Sequence, residues 1–177
     1  QMPFIDRDEF NWDSVAPTTI LERSELAYVE LGYEAPIGGE FIPYQDAYTP
    51  IPSNLPVIEK GFRASRSVTQ FTCLQAGIYN IVALVQLVHT NAGQVRRSIR
   101  LGLFLNGNLV FEQVNGLLRI ANLAGRENTA HLHFNIELII GDTVEIQSRR
   151  GIDGPDPPLQ GDGVLSYRTL VNATPIV

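Results

Sequence analysis

The chain has 177 residues, of which 44% are hydrophobic and 18% charged, and its net charge is −6. This length suffices for one domain and an extension, and for a core that needs no disulfide or metal. The acidic balance argues against a nucleic-acid partner, because phosphate binding needs a basic surface. A single cysteine, Cys73, excludes an intrachain disulfide and is expected to be a small buried residue. No apolar run approaches the ~20 residues that span a bilayer, so we expect no membrane partner.

The first 56 residues differ in composition from the rest. They hold seven of the eleven prolines, eight of the fifteen aromatics and a net charge of −8, against +2 for residues 57–177. Proline at this density opposes long helices and central strands, whereas disordered tails are poor in aromatics. We therefore divide the chain into an extended N-terminal arm, residues 1–56, and a domain, residues 57–177. One short element, a helix or a strand, is expected at 24–31, ended by Gly32.

The aromatic residues of the arm are candidates for docking. The arm is expected to order by pressing them into its own domain, a neighbouring subunit or a larger assembly. The docking candidates are Phe4, Phe10, Trp12, Tyr28, Phe41 and Tyr44.

Segment 78–88 is the most informative part of the domain. Its apolar residues fall on both faces of a strand, with Tyr79 and Ile81 on one face and Val82 and Leu84 on the other. A strand that is apolar on both faces must be covered on both. In a two-layer sandwich one face fills the core, and we expect a second subunit to cover the other; the arm is the alternative. The candidates for this subunit interface are Tyr79, Ile81, Val82, Leu84, Leu101 and Leu103.

The segments that follow also alternate with a period of two, which predicts strands. Residues 99–105 alternate up to Asn106-Gly107, the strongest short hairpin signal. In 130–138 the even positions are apolar and most odd positions polar, and after a turn at 141–142 the alternation resumes through 149. No helix is predicted after residue 57. The fold class is therefore all-β, a sandwich of two antiparallel sheets.

Four short motifs in this domain follow one another in a familiar order. They are Phe-Thr-x-x-x-x-Gly-hydrophobic-Tyr at 71–79, Leu-x-x-Asn-Gly at 103–107, Leu-x-x-Gly-Asp-x-Val at 138–144, and Gly-x-Leu at 163–165. Together they resemble the central motifs of the tumour-necrosis-factor and complement globular-head superfamily. The resemblance implies a ten-stranded, two-sheet jelly roll that forms a trimer. It further implies that Gly77 supplies backbone freedom at a strand entry and that Tyr79 is buried with its hydroxyl bonded at a rim.

The resemblance also shapes the expected function. Members of this superfamily bind receptors, glycans or other proteins, and similar jelly rolls form viral spikes, fibre heads and capsid decoration proteins. The arm has no counterpart in the family core, and no collagen stalk is present. We therefore expect a non-enzymatic homotrimeric virion protein, a capsid decoration or cement protein whose arm docks on the major capsid protein. The alternative is a receptor- or glycan-binding fibre head, or a secreted extracellular recognition domain.

One pattern points to different chemistry. Gly125, His131, His133 and Glu137 have the spacing of the first cupin motif, in which two histidines and a glutamate bind a metal. The second cupin motif is absent, and these side chains share the polar face of their strand, whereas cupin ligands point into the barrel. His131, His133 and Glu137 are therefore weak metal candidates. No nucleophile elbow, phosphate loop or zinc cysteine pair is present, so we expect no catalytic residue and no cofactor.

Overall fold

The computed structural model describes residues 26–34, 41–42, 47–89, 96–119, 127–150 and 164–176. Regular structure in these residues consists of strands alone, as the alternating pattern predicted. There are twelve: β1 (Tyr28–Glu34), β2 (Phe41–Ile42), β3 (Thr49–Pro50), β4 (Ile58–Lys60), β5 (Phe62–Ala64), β6 (Gln70–Cys73), β7 (Gly77–His89), β8 (Arg96–Leu105), β9 (Asn108–Arg119), β10 (Glu127–Leu138), β11 (Thr143–Arg150) and β12 (Val164–Pro175).

The strands form two antiparallel sheets that pack face to face. The first sheet has the order β10-β7-β12-β1-β4, and β2 pairs with the start of β12. The second has the order β5-β6-β11-β8-β9, and β3 pairs with β11. Neighbours in each sheet are mostly distant in sequence, which is typical of a jelly roll. The predicted two-sheet sandwich is confirmed.

The core lies between the sheets and is built by strict alternation. From β7, Tyr79, Ile81, Ala83 and Val85 point inward and are at most 1% exposed. The inward side chains of β10 in the same sheet, and of β8 and β11 in the opposite sheet, are equally buried: Leu101, Leu103, Ala130, Leu132, Leu138, Val144 and Ile146. Burying a large aliphatic side chain contributes about 1.5–3 kcal/mol, so this layer supplies most of the drive to fold.

The segment that carries the first family motif forms one corner of this core. Phe71 and Tyr79 each pack edge-to-face against Phe62, with ring centroids 5.3 and 4.9 Å apart. The hydroxyl of Tyr79 donates to the carbonyl oxygen of Gln75 at 2.6 Å, as expected of a tyrosine whose tip reaches a rim. Cys73 is fully buried, and burial raises the pKa of its thiol. The predictions for Tyr79 and Cys73 are therefore confirmed.

Two predicted turns meet at one end of the sandwich. Asn106 and Gly107 have φ angles of 51° and 79°, the left-handed pair that a two-residue hairpin needs. Asn106 donates from Nδ2 to Oδ1 of Asp142 at 2.8 Å and accepts from the Thr143 N–H at 2.9 Å. The Asn106 bond lowers the pKa of Asp142. The β8–β9 and β10–β11 turns thus support each other.

The predicted boundary between arm and domain is wrong. Residues 28–34, placed in the arm, form β1 inside the first sheet, between β12 and β4, and 41–42 and 49–50 are also strands. Gly32 does not end the element, which continues to Glu34. The sandwich therefore begins at about residue 26, and residues 1–25 lie outside the described part of the chain.

Gly77 also differs from its expected role. The described glycines with positive φ are Gly61, Gly107 and Gly141. A Cβ added at Gly77 would sit 3.4 Å from Tyr79 Cε2, an ordinary contact. Gly77 thus begins β7 in a conformation that other residues adopt.

Candidate assembly surface

The outer face of the first sheet carries apolar side chains that the described residues leave open. On β7 the even positions point away from the core: Ile78 is 52% exposed, Leu84 is 41% exposed, and Val82 is half-buried. Leu170 on β12 pairs with Leu84 in the sheet and lies on the same face. Leu84, Gln86, Thr129 and Leu170 line a shallow depression of about 360 Å³. This is the kind of surface that oligomers cover.

The adjoining edge strand is polar on the same face. In β10, His131 pairs with Leu84, His133 with Val82, and Asn135 with Asn80. Asn80 donates from Nδ2 to Oδ1 of Asn135 at 2.7 Å and also bonds Nε2 of His133. The outer face therefore combines an apolar strip along β7 and β12 with a hydrogen-bonded polar strip along β10. Such a composition is typical of subunit interfaces whose apolar centre is bordered by polar groups.

Among the described residues, the loop at Asn54 and Leu55 covers the part of the outer face near β1. The N–H groups of Asn54 and Leu55 both donate to the Gly32 carbonyl at 3.0 Å. A Cβ on Gly32 would lie 2.7 Å from Leu55 Cδ1, so the absence of a side chain admits this loop. The adjacent Tyr28 is half-buried and bonds the carboxylate of Glu30. In the described part of the chain, the loop at Asn54 and Leu55 does not extend to Ile78 and Leu84, whose side chains are exposed.

The interface residues predicted from sequence divide into two groups. Tyr79, Ile81, Leu101 and Leu103 are 0–1% exposed inside the sandwich, so they cannot contact a second subunit, and those four predictions are wrong. The even-numbered residues of β7 point outward, because successive side chains of a strand lie on opposite faces of the sheet. Val82 and Leu84 lie on the outer face and stay predictions, and Leu170, the β12 partner of Leu84, is a further candidate on that face.

Most of the arm residues that are predicted to dock lie outside the described part of the chain. Phe4, Phe10, Trp12 and Tyr44 lie outside the described residues, and Phe41 lies in β2. Tyr28 belongs to a strand of the sandwich and already has a hydroxyl partner, so its assignment to a separate arm is wrong.

A charged cluster lies on the outer face of the second sheet. Glu112 accepts from Arg100 Nη1 at 2.6 Å, from Arg149 Nη2 at 2.6 Å and from the Tyr48 hydroxyl at 2.5 Å. The Arg149 guanidinium also stacks 5.0 Å from the Tyr48 ring centroid. Partial burial opposes ionisation of Glu112, but the bonds from Tyr48, Arg149 and Arg100 outweigh it and lower its pKa to about 2. Burial and the bond to Glu112 raise the pKa of Tyr48 to about 12.

The weak metal candidates face solvent. His131, His133 and Glu137 alternate with core residues of β10, and all three are exposed on the outer face. In the described ranges no three His, Cys, Asp or Glu residues come together as a metal site would require. The cupin arrangement needs ligands inside the barrel, and these point out of it. A search of the same residues for a helix with the length and hydropathy to cross a membrane finds none.

Comparison with known proteins identifies the fold. No family model matches the sequence, and no curated protein matches it. Among solved structures, the Eiger TNF from S. frugiperda superposes with a TM-score of 0.51 at 8% identity, over 85% of this chain and 94% of that one. Rabbit GITRL is 18% identical, with a TM-score of 0.45, and its match also covers 85% of this chain and 94% of that one. Identity this low shows the fold alone. The protein has a tumour-necrosis-factor-like jelly-roll fold, as its four sequence motifs predicted.

Proposed function

We propose that this protein is a non-enzymatic structural protein that works as a homotrimer, with the outer face of its first sheet as the subunit interface. The observation that carries the proposal is the exposure of Leu84, beside half-buried Val82, on a face whose opposite side fills the core. Leaving apolar side chains in water forgoes the free energy of burying them, and a second layer of protein recovers it. Sister copies supply that layer without any further gene product.

The finer proposal is a virion decoration or cement protein whose N-terminal segment docks on the major capsid protein. It is supported by the composition of residues 1–25, which combine three aromatic residues with two prolines and a net charge of −4. Such a segment can lie extended on another surface and fill pockets with its aromatic side chains. With β1 in the sandwich, the docking segment shortens to residues 1–25.

The first test is oligomeric mass. Light scattering of the purified chain is expected to give three times the 19.6 kDa of one subunit. Leu84→Arg is expected to give monomers, because a buried unpaired charge is costly. Val114→Arg is the matched control: Val114 is 45% exposed, on the second sheet, and the variant should remain trimeric. A monomeric wild type, or a trimeric Leu84→Arg variant, contradicts the proposed interface.

Co-sedimentation with capsids of the source virus then tests the docking role. The full chain is expected to pellet with them, and a chain lacking residues 1–25 is expected to stay in the supernatant as a trimer. If the shortened chain pellets equally well, the docking assignment is wrong, whereas the trimer proposal stands on its own mass measurement. Binding of the full chain to a glycan or receptor, with none to capsids, would favour the recognition alternative.

A further inference from the structure

A cluster of exposed aliphatic side chains lies at the end of the sandwich where β1 begins and β12 finishes. We call it the apolar end: Leu74, Ile78, Ile139, Ile140 and Ile176, with exposures of 43, 52, 63, 68 and 45%. Half of the ten large apolar side chains that stand exposed in the described residues are in this cluster. Patches of this kind on soluble proteins mark contact surfaces.

Backbone hydrogen bonds hold these residues at one end. The β6–β7 and β10–β11 turns are joined by Cys73 N–H to the Asp142 carbonyl at 2.7 Å and Gly141 N–H to the Cys73 carbonyl at 2.8 Å. The N–H of Ile176 donates to the Ile78 carbonyl at 2.8 Å, which sets these two isoleucines on neighbouring strands. The cluster therefore spans both sheets and closes the end of the core.

The topology limits which part of the chain can reach this end. The described strand ends that border internal gaps, among them Glu34, His89 and Arg119, lie toward the opposite end of the sandwich. Leu26, the first described residue, in contrast lies at the apolar end, where β1 begins beside the last residues of β12. The position of a Cβ at Gly61 lies 2.5 Å from the Ala27 Cβ, and the Gly61 carbonyl accepts from the Leu74 N–H at 2.9 Å. The long leading segment is thus attached beside the patch.

We propose that residues 1–25 fold back over the apolar end of their own chain. The segment carries large apolar side chains within reach, among them Phe4, Phe10 and Trp12. Thirteen residues separate Trp12 from Leu26, and an extended chain of that length spans up to roughly 45 Å. A tethered segment also meets its site at a high effective concentration, which favours it over a free partner. The inference concerns the protein free of any capsid and goes beyond the proposed function; docking on a capsid would require residues 1–25 to leave the apolar end.

Trp12 offers a direct readout, because it is the only tryptophan of the chain. In the native full-length protein its emission is expected to be blue-shifted, and acrylamide should quench it several-fold less than in the denatured protein. The double variant Ile139→Ser, Ile140→Ser is expected to shift the emission to the red and to restore most of the quenching. These two side chains are exposed, so their replacement leaves the core intact; Leu74→Ser supplies a second variant of the same surface.

Val114→Ser, on the second sheet, is the matched control and should leave Trp12 protected. Native quenching equal to that of the denatured protein overturns the proposal, as does a double variant with unchanged quenching. Co-refolding the double variant with an excess of full-length Trp12→Phe chains tests which chain supplies the surface. Trp12 of the double variant should stay exposed; if intact neighbours protect it, the occupant is a sister copy and the same-chain assignment is wrong.

Discussion

At the scale of single residues, the second sheet is locked by a contact that joins four distant parts of the sequence. Tyr48, Arg100 and Arg149 converge on Glu112, whose side chain is 21% exposed. Gly102 makes room for it, since a Cβ there would lie 2.6 Å from Tyr48 Cε1. No local pattern could reveal this cluster, because its members meet only once β3, β8, β9 and β11 are in register. Cys73 and Tyr79, in contrast, could be placed from the motif around them.

The Glu112 cluster predicts a pH dependence of stability. The folded pKa of about 2 lies below the ordinary 4.5, so ionised Glu112 stabilises the fold above pH 4.5 and the contribution disappears as pH falls through 2. Because solvent partly screens the charge of Glu112, the stabilisation is smaller than the pKa shift alone implies. We expect Glu112→Gln to lower the free energy of unfolding by about 1–2 kcal/mol at neutral pH. Urea titrations at pH 7 and 3 measure both effects.

The control is Glu145→Gln, which alters a carboxylate on the same face that accepts from Gln70 at 3.3 Å. It should cost little at either pH. An unchanged stability of Glu112→Gln at pH 7, or a loss that persists in full at pH 3, contradicts the role given to the cluster.

At the scale of elements, the period-two pattern correctly predicted the strands at 99–105, 130–138 and 143–149, because each has one buried and one wet face. The same alternation is present in β1, where Val29, Leu31 and Tyr33 are buried between Glu30, Gly32 and Glu34. Composition averaged over 56 residues conceals that these seven residues belong to the domain, because the surrounding prolines and acids outweigh them. Local periodicity is therefore a better guide to this boundary than composition.

The β8–β9 hairpin gives a test at this scale. Gly107 has a φ of +79° with open space around its Cα, so Gly107→Ala is opposed by backbone strain rather than by a clash. We expect a loss of about 1 kcal/mol in the free energy of unfolding. Gly77→Ala, at a glycine without positive φ, should change stability by less than about 0.5 kcal/mol. Equal losses in the two variants would show that the turn conformation is not what selects Gly107.

At the scale of the whole molecule, the sequence predicted a strand with two apolar faces but not which face is inside. Both faces of 78–88 are apolar, so only the neighbouring strand decides between them. In β10 the residues that share a face with Val82 and Leu84 are His133 and His131, and those that share a face with Ile81 and Ala83 are Phe134 and Leu132. The polar side of β10 therefore sets the even positions of β7 outward.

This assignment makes the outer face of β7 the surface on which the trimer depends. Leu84 and Val114 are matched within one chain, 41% and 45% exposed on opposite sheets. Cys73 is buried and its pKa is raised, so it should not react with a thiol reagent in the native protein. The measured reaction then comes from the introduced cysteine alone. Reaction of Leu84→Cys and Val114→Cys with a thiol reagent thus compares a proposed interface with a free surface.

The most direct test of the account is the ratio of these two rates in native protein, with and without residues 1–25. If sister copies cover β7, the cysteine at position 84 should react at no more than roughly one tenth of the rate at position 114. This ratio corresponds to a free energy of at least about 1.4 kcal/mol for opening the interface, and it should be the same with and without residues 1–25. Equal rates at the two positions, or protection that vanishes with residues 1–25, would contradict it.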